Sequence, residues 1–174
     1  MLTRMSETST IAVIAGRDGQ DLQALMSAAT ARWHRAGMRL AGLLAEGHDG
    51  EGVCSAAYLR DLTTGERFSI QRDAPPAGTS CHLDASGMEK ACDALLPRLT
   101  SADIVVLSKF GKLEAAQQGL WRCFSAAAHA GTPLLTTVSS RHAEALRAWA
   151  PAARWLEPED GAIQAWWNAI RDAA

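Results

Sequence analysis

Apolar positions follow two alternating rhythms along this chain. Ile11-Ala-Val-Ile-Ala15 is a short unbroken apolar run ending at Gly16, the pattern of a strand buried on both faces. Leu22, Leu25, Met26, Ala29 and Trp33 then recur at helical spacing, and Gly37 stands where a glycine would close that helix. A second apolar run, Leu40 to Ala45, follows directly. Strand, helix and strand within about 35 residues is the length of a right-handed βαβ unit.

The rhythm then changes. Ala57 to Leu62 and Arg67 to Gln71 flank Thr63-Thr-Gly-Glu66 and predict an antiparallel hairpin. A loop rich in Pro, Gly and Ser runs from Asp73 to Ser80. Met88, Cys92, Leu95 and Leu99 restore the helical period. A strand over Asp103 to Leu107, one helix over Ala115 to Ala130 closed by Gly131, and a strand over Pro133 to Val138 come next. The pattern ends with a helix over Arg141 to Trp149, a short strand over Arg154 to Leu156, and a last helix opening at Pro158. That last helix buries Ile163, Ile170 and one of two adjacent tryptophans. Trp166 and Trp167 point about 100° apart on a helix. One of them is therefore expected to cover a neighbouring surface or a homodimer contact.

Strands alternating with helices imply a mostly parallel sheet with helices on both faces, a three-layer α/β architecture with one antiparallel hairpin insertion. Residues 11–174 read as a single domain, preceded by a polar, frayed segment over residues 1–10. Composition narrows the function classes. A hydrophobic share of 48% with 21% charged residues is globular, and a net charge of -2 gives no basic footprint for nucleic acid. No apolar run approaches the roughly 20 residues that span a bilayer. The run at Ile11 is too short for a signal-peptide core, so a cytoplasmic protein is expected. Cys54, Cys81, Cys92 and Cys123 form no Cys-x-x-Cys pair, so free buried thiols are expected rather than a zinc or thioredoxin-type site.

In an open parallel sheet, ligands bind beyond the carboxyl ends of the strands. Three loops leave such ends: Gly16 to Asp21, Ser108 to Glu114, and Ser139 to His142. The first stands where a P-loop would, and that motif needs Gly, four residues, Gly, Lys and then Ser or Thr. With Gly19 as the second glycine, Gln20 takes the lysine position and Asp21 the hydroxyl position. Asp18 and Asp21 bring negative charge to a place meant for phosphate, and Arg17 offsets only part of it. Like charges at 4 Å repel by about 4 kcal/mol at intermediate dielectric. The other reading is a tight strand-to-helix turn, with Asp18 or Asp21 serving the helix N-terminus.

The second loop follows the strand that, in P-loop enzymes, ends in the carboxylate organising magnesium. Here it reads Ser108-Lys-Phe-Gly-Lys-Leu-Glu114. Lysine holds no metal, but Lys109 and Lys112 at a sheet edge attract an anion; alternatively they are solvated or pair with Glu114. A third block, Thr79-Ser-Cys-His-Leu-Asp84, puts Ser80, Cys81, His82 and Asp84 on one loop. That set suits an oxyanion or a soft metal, whereas the plainer role for Asp84 or Ser86 is to cap the next helix. His34, His48, His129 and His142 are scattered and none reads as catalytic.

The order Asp61-Leu-Thr-Thr-Gly65, Thr79 to Asp84 and Leu107 to Glu114 resembles the bacterial family called domain of unknown function 2478, from about Ile11 to about Trp149. Ser108 departs from the Asn usual there. The resemblance implies no particular activity and at most a loose link to molybdate. More distantly the same order is similar to the small P-loop nucleoside-triphosphatase family of thermophiles and animals, which shares the Gly-Lys-x-Glu arrangement of Gly111 to Glu114. That family keeps an intact P-loop and an Asp-Glu pair where this chain has Ser108-Lys109. The resemblance carries a P-loop-NTPase-like fold but not hydrolysis.

Three functions follow as expectations. The first is a binding or regulatory protein with a degenerate P-loop-like site for a small anion, a nucleotide or an oxyanion related to molybdate. Gly16, Arg17, Gly19, Gln20, Ser80, Cys81, His82, Asp84, Lys109, Lys112 and Glu114 would line it, with no catalytic residue and no metal assigned. The second is a nonstandard nucleoside triphosphatase or phosphotransferase drawing on Asp18, Asp21, Asp84 or Glu114. The third is an interaction scaffold presenting the tryptophans between Trp149 and Trp167.

Overall fold

The apolar runs become strands and the periodic stretches become helices in the computed structural model, which describes residues 9–16, 21–47, 56–70 and 84–174. Most of the segment read as a frayed N-terminus, and the loop Asp73 to Ser80, lie outside the described residues. In chain order the elements are β1 (Ile11–Ala15), α1 (Leu22–Arg35), β2 (Leu40–Gly47), β3 (Ala56–Asp61), β4 (Arg67–Ser69), α2 (Ala85–Leu95), β5 (Ile104–Phe110), α3 (Lys112–Ala115), α4 (Trp121–Ala130), β6 (Leu134–Val138), α5 (Ala143–Trp149), β7 (Arg154–Leu156) and α6 (Asp160–Ala173). Short 3₁₀ turns at Leu96–Arg98 and Ser140–His142 connect them.

The strands form one sheet in the order β4-β3-β2-β5-β6-β1-β7. Pairings β2–β5, β5–β6, β6–β1 and β1–β7 are parallel, and the hairpin adds β3 and β4 antiparallel to one edge. Alternate residues of the central strands serve opposite faces. Val13, Val105 and Leu107 join Cys92, Leu95, Phe124 and Leu146 under α2, α4 and α5. Ala12, Ile14, Ile104 and Val106 join Met26, Trp33, Ile163 and Trp167 under α1 and α6. The mostly parallel, two-faced α/β sheet is therefore as the sequence predicts.

Several local expectations are corrected. The single helix over Ala115 to Ala130 is two, because Gln117 (φ 59°) and Gly119 (φ 62°) turn left-handed between α3 and α4. Strand β5 continues past Leu107 to Phe110, so Ser108 and Lys109 are strand residues. The last helix opens at Asp160 rather than Pro158. Trp166 and Trp167 are both buried, not one. Trp166 donates its indole N–H to the Ser9 carbonyl at 2.9 Å, while Trp167 packs on Trp33 with ring centroids 5.6 Å apart. α6 is covered on two sides, so its buried arc exceeds one narrow stripe. Cys92 and Cys123, expected as free thiols, form a disulfide between α2 and α4. They lie 31 residues apart but share one buried helix–helix contact with Cα atoms 5.9 Å apart, a proximity that spacing alone does not reveal.

The Asp61-Leu-Thr-Thr-Gly65 block proves to be a structural turn. The buried Asp61 carboxylate accepts the N–H groups of Thr63 (2.8 Å) and Thr64 (3.1 Å) and pairs with Arg98. Burial pushes that carboxyl up, but Arg98 and the two N–H groups outweigh it and hold it below the usual carboxylate range.

The first turn of α2 presses on β4, and a Cβ on Gly87 would collide with the carbonyl oxygen of Ser69. Backbone cannot yield as a flexible side chain would. Gly87→Ala is expected to cost about 2–3 kcal/mol in urea denaturation; a loss below about 0.5 kcal/mol would show that α2 does not approach β4 so closely.

Candidate anion site at the carboxyl edge of the sheet

The parallel strands β1, β5 and β6 deliver their carboxyl ends to one edge, and the crossover direction reverses between β6 and β1, since β6 leads on to β7 and β1 leads the other way to β2. A crevice at such a switch point is where this architecture takes ligands. Gly16 ends β1 and donates its N–H to the Val138 carbonyl at 3.1 Å. A hollow of about 190 Å³ lies beside it, lined by Ala15, Gly16, Trp155, Leu156, Glu157 and Pro158. A larger cleft of about 410 Å³, lined in part by His34, Arg39, Leu62 and Arg98, opens among residues at the start of β2 and just ahead of β5. Those residues sit at the opposite end of the strands from the switch point.

Helix α1 starts at Leu22, with the Asp21 side chain accepting the Ala24 N–H at 3.0 Å as an N-cap. The motif spacing can also be counted from the end of β1. Counting from Gly16, the P-loop spacing gives Asp21 at the second glycine, Leu22 at the lysine and Gln23 at the hydroxyl position. Leu22 folds back over β1, its Cδ1 lying 2.8 Å from where a Cβ on Gly16 would stand. Arg17, Gly19 and Gln20, with Asp18, lie outside the described residues.

Ser108, buried near the end of β5, faces Gln23. Its hydroxyl oxygen lies 2.8 Å from Gln23 Nε2 and 3.1 Å from Oε1. A neutral amide and a neutral hydroxyl thus meet between the start of α1 and the end of β5. The next residue, Lys109, joined to Ser108 by a cis peptide bond, is exposed, and so is Lys112 at the start of α3. Arg141, exposed, and His142, half-buried, follow β6 in the adjacent turn. Their proximity is electrostatic as well as topological. Burial, then the charges of Arg141, Lys109 and Lys112, hold the His142 imidazolium below its ordinary range. None of these four side chains has an ion-pair partner among the described residues, whereas Arg32, Arg39, Arg60, Arg67, Arg98 and Arg122 each bind a carboxylate.

Glu114 does not pair with either lysine. It is buried, and its two oxygens accept the Gly111 N–H at 3.0 Å and the Leu120 N–H at 2.9 Å. It therefore ties the two ends of the segment between β5 and α4 instead of facing a ligand. Gly119 allows the closure: its φ is +62°, and a Cβ there would lie 2.7 Å from Glu114 Oε1. Asp84 caps α2 through the Ser86 N–H at 3.0 Å. Ser80, Cys81 and His82 lie outside the described residues. Among the described residues no group of three or more His, Cys, Asp or Glu could hold a metal ion.

Of the residues picked from sequence, the described part of the structure brings Gly16, Lys109 and Lys112 to this edge and gives Asp84 and Glu114 backbone partners. Sequence reasoning placed the Ser139–His142 loop at this edge but gave Arg141 and His142 no role, and it passed over Gln23. Counting the P-loop spacing from Gly16 would have found Gln23, and pairing the loops after β5 and β6 would have found the other two.

Sheet order and helical layering define a P-loop-nucleoside-triphosphatase-like α/β fold. The chain belongs to the DUF2478 family, described as a protein family of unknown function, whose model matches residues 11–166. It is 32% identical over 161 residues to Molybdenum import ATP-binding protein ModC 2 of Bradyrhizobium diazoefficiens, covering 91% of this chain but 18% of that protein. The solution structure of a human cancer-related nucleoside triphosphatase superposes with a TM-score of 0.58 at 19% identity, over 83% of this chain and 86% of the other. That likeness concerns fold. No helix among the described residues is long and apolar enough to cross a membrane.

Burial raises the Glu114 carboxyl above its ordinary range, and the Leu120 and Gly111 N–H groups and the Lys109 charge offset only part of that. A raised carboxyl binds its proton more tightly folded than unfolded. Its contribution is therefore full below the ordinary value, about 4.3, and is lost as pH rises through the folded value. Glu114→Gln sets an amide NH₂ against one backbone N–H and is expected to cost about 1–3 kcal/mol. The gap to wild type should narrow as pH rises from about 4.3. A gap that widens in denaturant titrations across that window would contradict the burial of this carboxylate.

Proposed function

We propose that this protein binds a small oxyanion, or the phosphate of a larger ligand, at the carboxyl edge of β5 and β6, and acts as a binding or regulatory module rather than a hydrolase. One observation carries the reading: Lys109, Lys112 and Arg141, with His142 held toward its neutral form beside them, gather at the ligand edge of the fold with no salt-bridge partner among the described residues, Lys109 lending only a through-space charge to the buried Glu114. Uncompensated cations held near one another repel, and a bound anion relieves that repulsion. Hydrolysis would need a carboxylate to hold metal or activate water. The described candidates at this edge are engaged elsewhere, Asp21 and Asp84 in helix caps and Glu114 in its loop.

The relative's name supplies the first ligand to try. A stretch similar to nearly all of this chain forms 18% of a protein named for molybdenum import, which supports molybdate as the oxyanion. Sulfate and phosphate share its tetrahedral shape and charge.

Two outcomes are expected in calorimetric titrations with molybdate and sulfate. The double variant Lys109→Ala/Lys112→Ala should bind about 30-fold or more weakly, since each charge-assisted contact contributes about 1.5–3 kcal/mol. Affinity unchanged in that variant would remove the site from this edge. A bound dianion raises the depressed His142 value, so binding takes up a proton there. Affinity for sulfate, which keeps both charges, should therefore rise as pH falls from about 8 to about 5.5. His142→Ala should flatten that slope; an unchanged slope would exclude His142 from the site.

A further inference from the structure

In P-loop nucleoside triphosphatases a magnesium ion sits between the hydroxyl at the start of the first helix and a carboxylate on a neighbouring strand, and it bridges the β- and γ-phosphates. The fold implies that ion here, and the donor set can be tested against it. The hydroxyl position is Gln23 and the carboxylate position is Ser108. These two side chains are bonded to each other, with 2.8 and 3.1 Å separations, and neither carries charge. Magnesium prefers carboxylate oxygens in near-octahedral geometry and gives up its water reluctantly. Asp21 is spent on the Ala24 N–H, and both Glu114 oxygens are spent on backbone N–H groups. The described residues at this position do not fit the ion.

The phosphate-chain side of the cradle has changed in the same sense. Leu22 stands at the lysine position and packs hydrocarbon over Gly16. A long phosphate chain laid along the end of β1 would meet a leucine where it requires an ammonium group. Positive charge has moved instead to Lys109 beside Ser108, Lys112, Arg141 and His142. A dication placed next to that cluster would be repelled by it, whereas a compact dianion would not.

We infer that the ligand of this edge is a single free tetrahedral oxyanion held without a divalent cation, not a magnesium nucleotide. The inference rests on the anion-binding reading above and narrows it to one ligand class.

Calorimetric titration of the wild-type protein with molybdate, sulfate, ATP and ADP, each in excess magnesium and in EDTA, tests it. Oxyanion affinity should agree within about two-fold between the two conditions, and magnesium should leave nucleotide affinity unchanged or lower it, because the ion cancels phosphate charge. A ten-fold gain in affinity for any ligand on adding magnesium would overturn the metal-free inference and leave anion binding standing. Absence of binding by every ligand in both conditions would overturn the anion reading itself, and this inference with it. The double variant Gln23→Ser/Ser108→Asp, with its fold checked by circular dichroism, places a carboxylate beside Lys109. It should lose at least about ten-fold in sulfate affinity in EDTA. Wild-type affinity in that variant would overturn the placement of the anion beside Ser108.

Discussion

Everything at the carboxyl edge of the sheet hangs on how the chain leaves β5, and that departure is governed by the buried carboxylate of Glu114. Its two oxygens take one N–H from Gly111 and one from Leu120, so the segment between β5 and α4 is closed by a single side chain. Burying a carboxylate is costly unless its lone pairs are satisfied, and these two bonds are what make the position tolerable. The same closure requires left-handed backbone at Gly119 and splits one expected helix into α3 and α4. Lys112 opens α3 directly after β5, three residues on from Lys109, and the Arg141–His142 turn follows the neighbouring strand β6. The charge cluster is thus a consequence of loop closure and of the parallel β5–β6 pairing, Phe110 against Val138.

The sheet has a P-loop-nucleoside-triphosphatase-like order, and under the proposed anion binding its edge would carry different electrostatics. Where a P-loop enzyme presents a lysine over β1 and an acidic end to β5, this chain presents Leu22 over β1 and a neutral Gln23–Ser108 pair followed by Lys109. Lys109 and Lys112 stand at the end of β5, two strands from β1, and Arg141 and His142 follow β6, one strand away, so these side chains lie about 5–10 Å along the sheet edge from β1. The scaffold beneath needs no change for that exchange. Alternate residues of β1, β5 and β6 still fill both helical layers, and the disulfide between Cys92 and Cys123 joins two helices of one layer.

Much of the fold was legible because it rests on periodicity. The runs at Ile11, Leu40, Ile104 and Leu134 could be little else than buried strands, and the turn at Thr63-Thr-Gly-Glu66 announced a hairpin. The misses have physical causes. One helix over Ala115 to Ala130 was read across Gln117-Gln118-Gly119, the break that the sequence did offer, and the buried Glu114 with its two backbone partners closes the chain there. Trp166 and Trp167 were judged on helix geometry alone, which cannot know that Ser9 and Trp33 cover both sides of α6. The site was half legible. Lys109 and Lys112 announced themselves as cations at a strand end, and the loop carrying Arg141 and His142 was placed at a strand end too; what the sequence withheld is that β6 lies next to β5. Anchoring the motif on Gly19 hid Gln23, because the second glycine of a P-loop is recognisable only when it is still a glycine.

The central claim is spatial: the anion sits against β5 and β6, not over the end of β1. Anomalous diffraction from a crystal soaked in molybdate or tungstate locates such an anion directly. The predicted result is a peak within hydrogen-bonding reach of Lys109, Lys112 and Arg141. A peak over Gly16 and Leu22, or in the distant cleft beside Arg39 and Arg98, would contradict it.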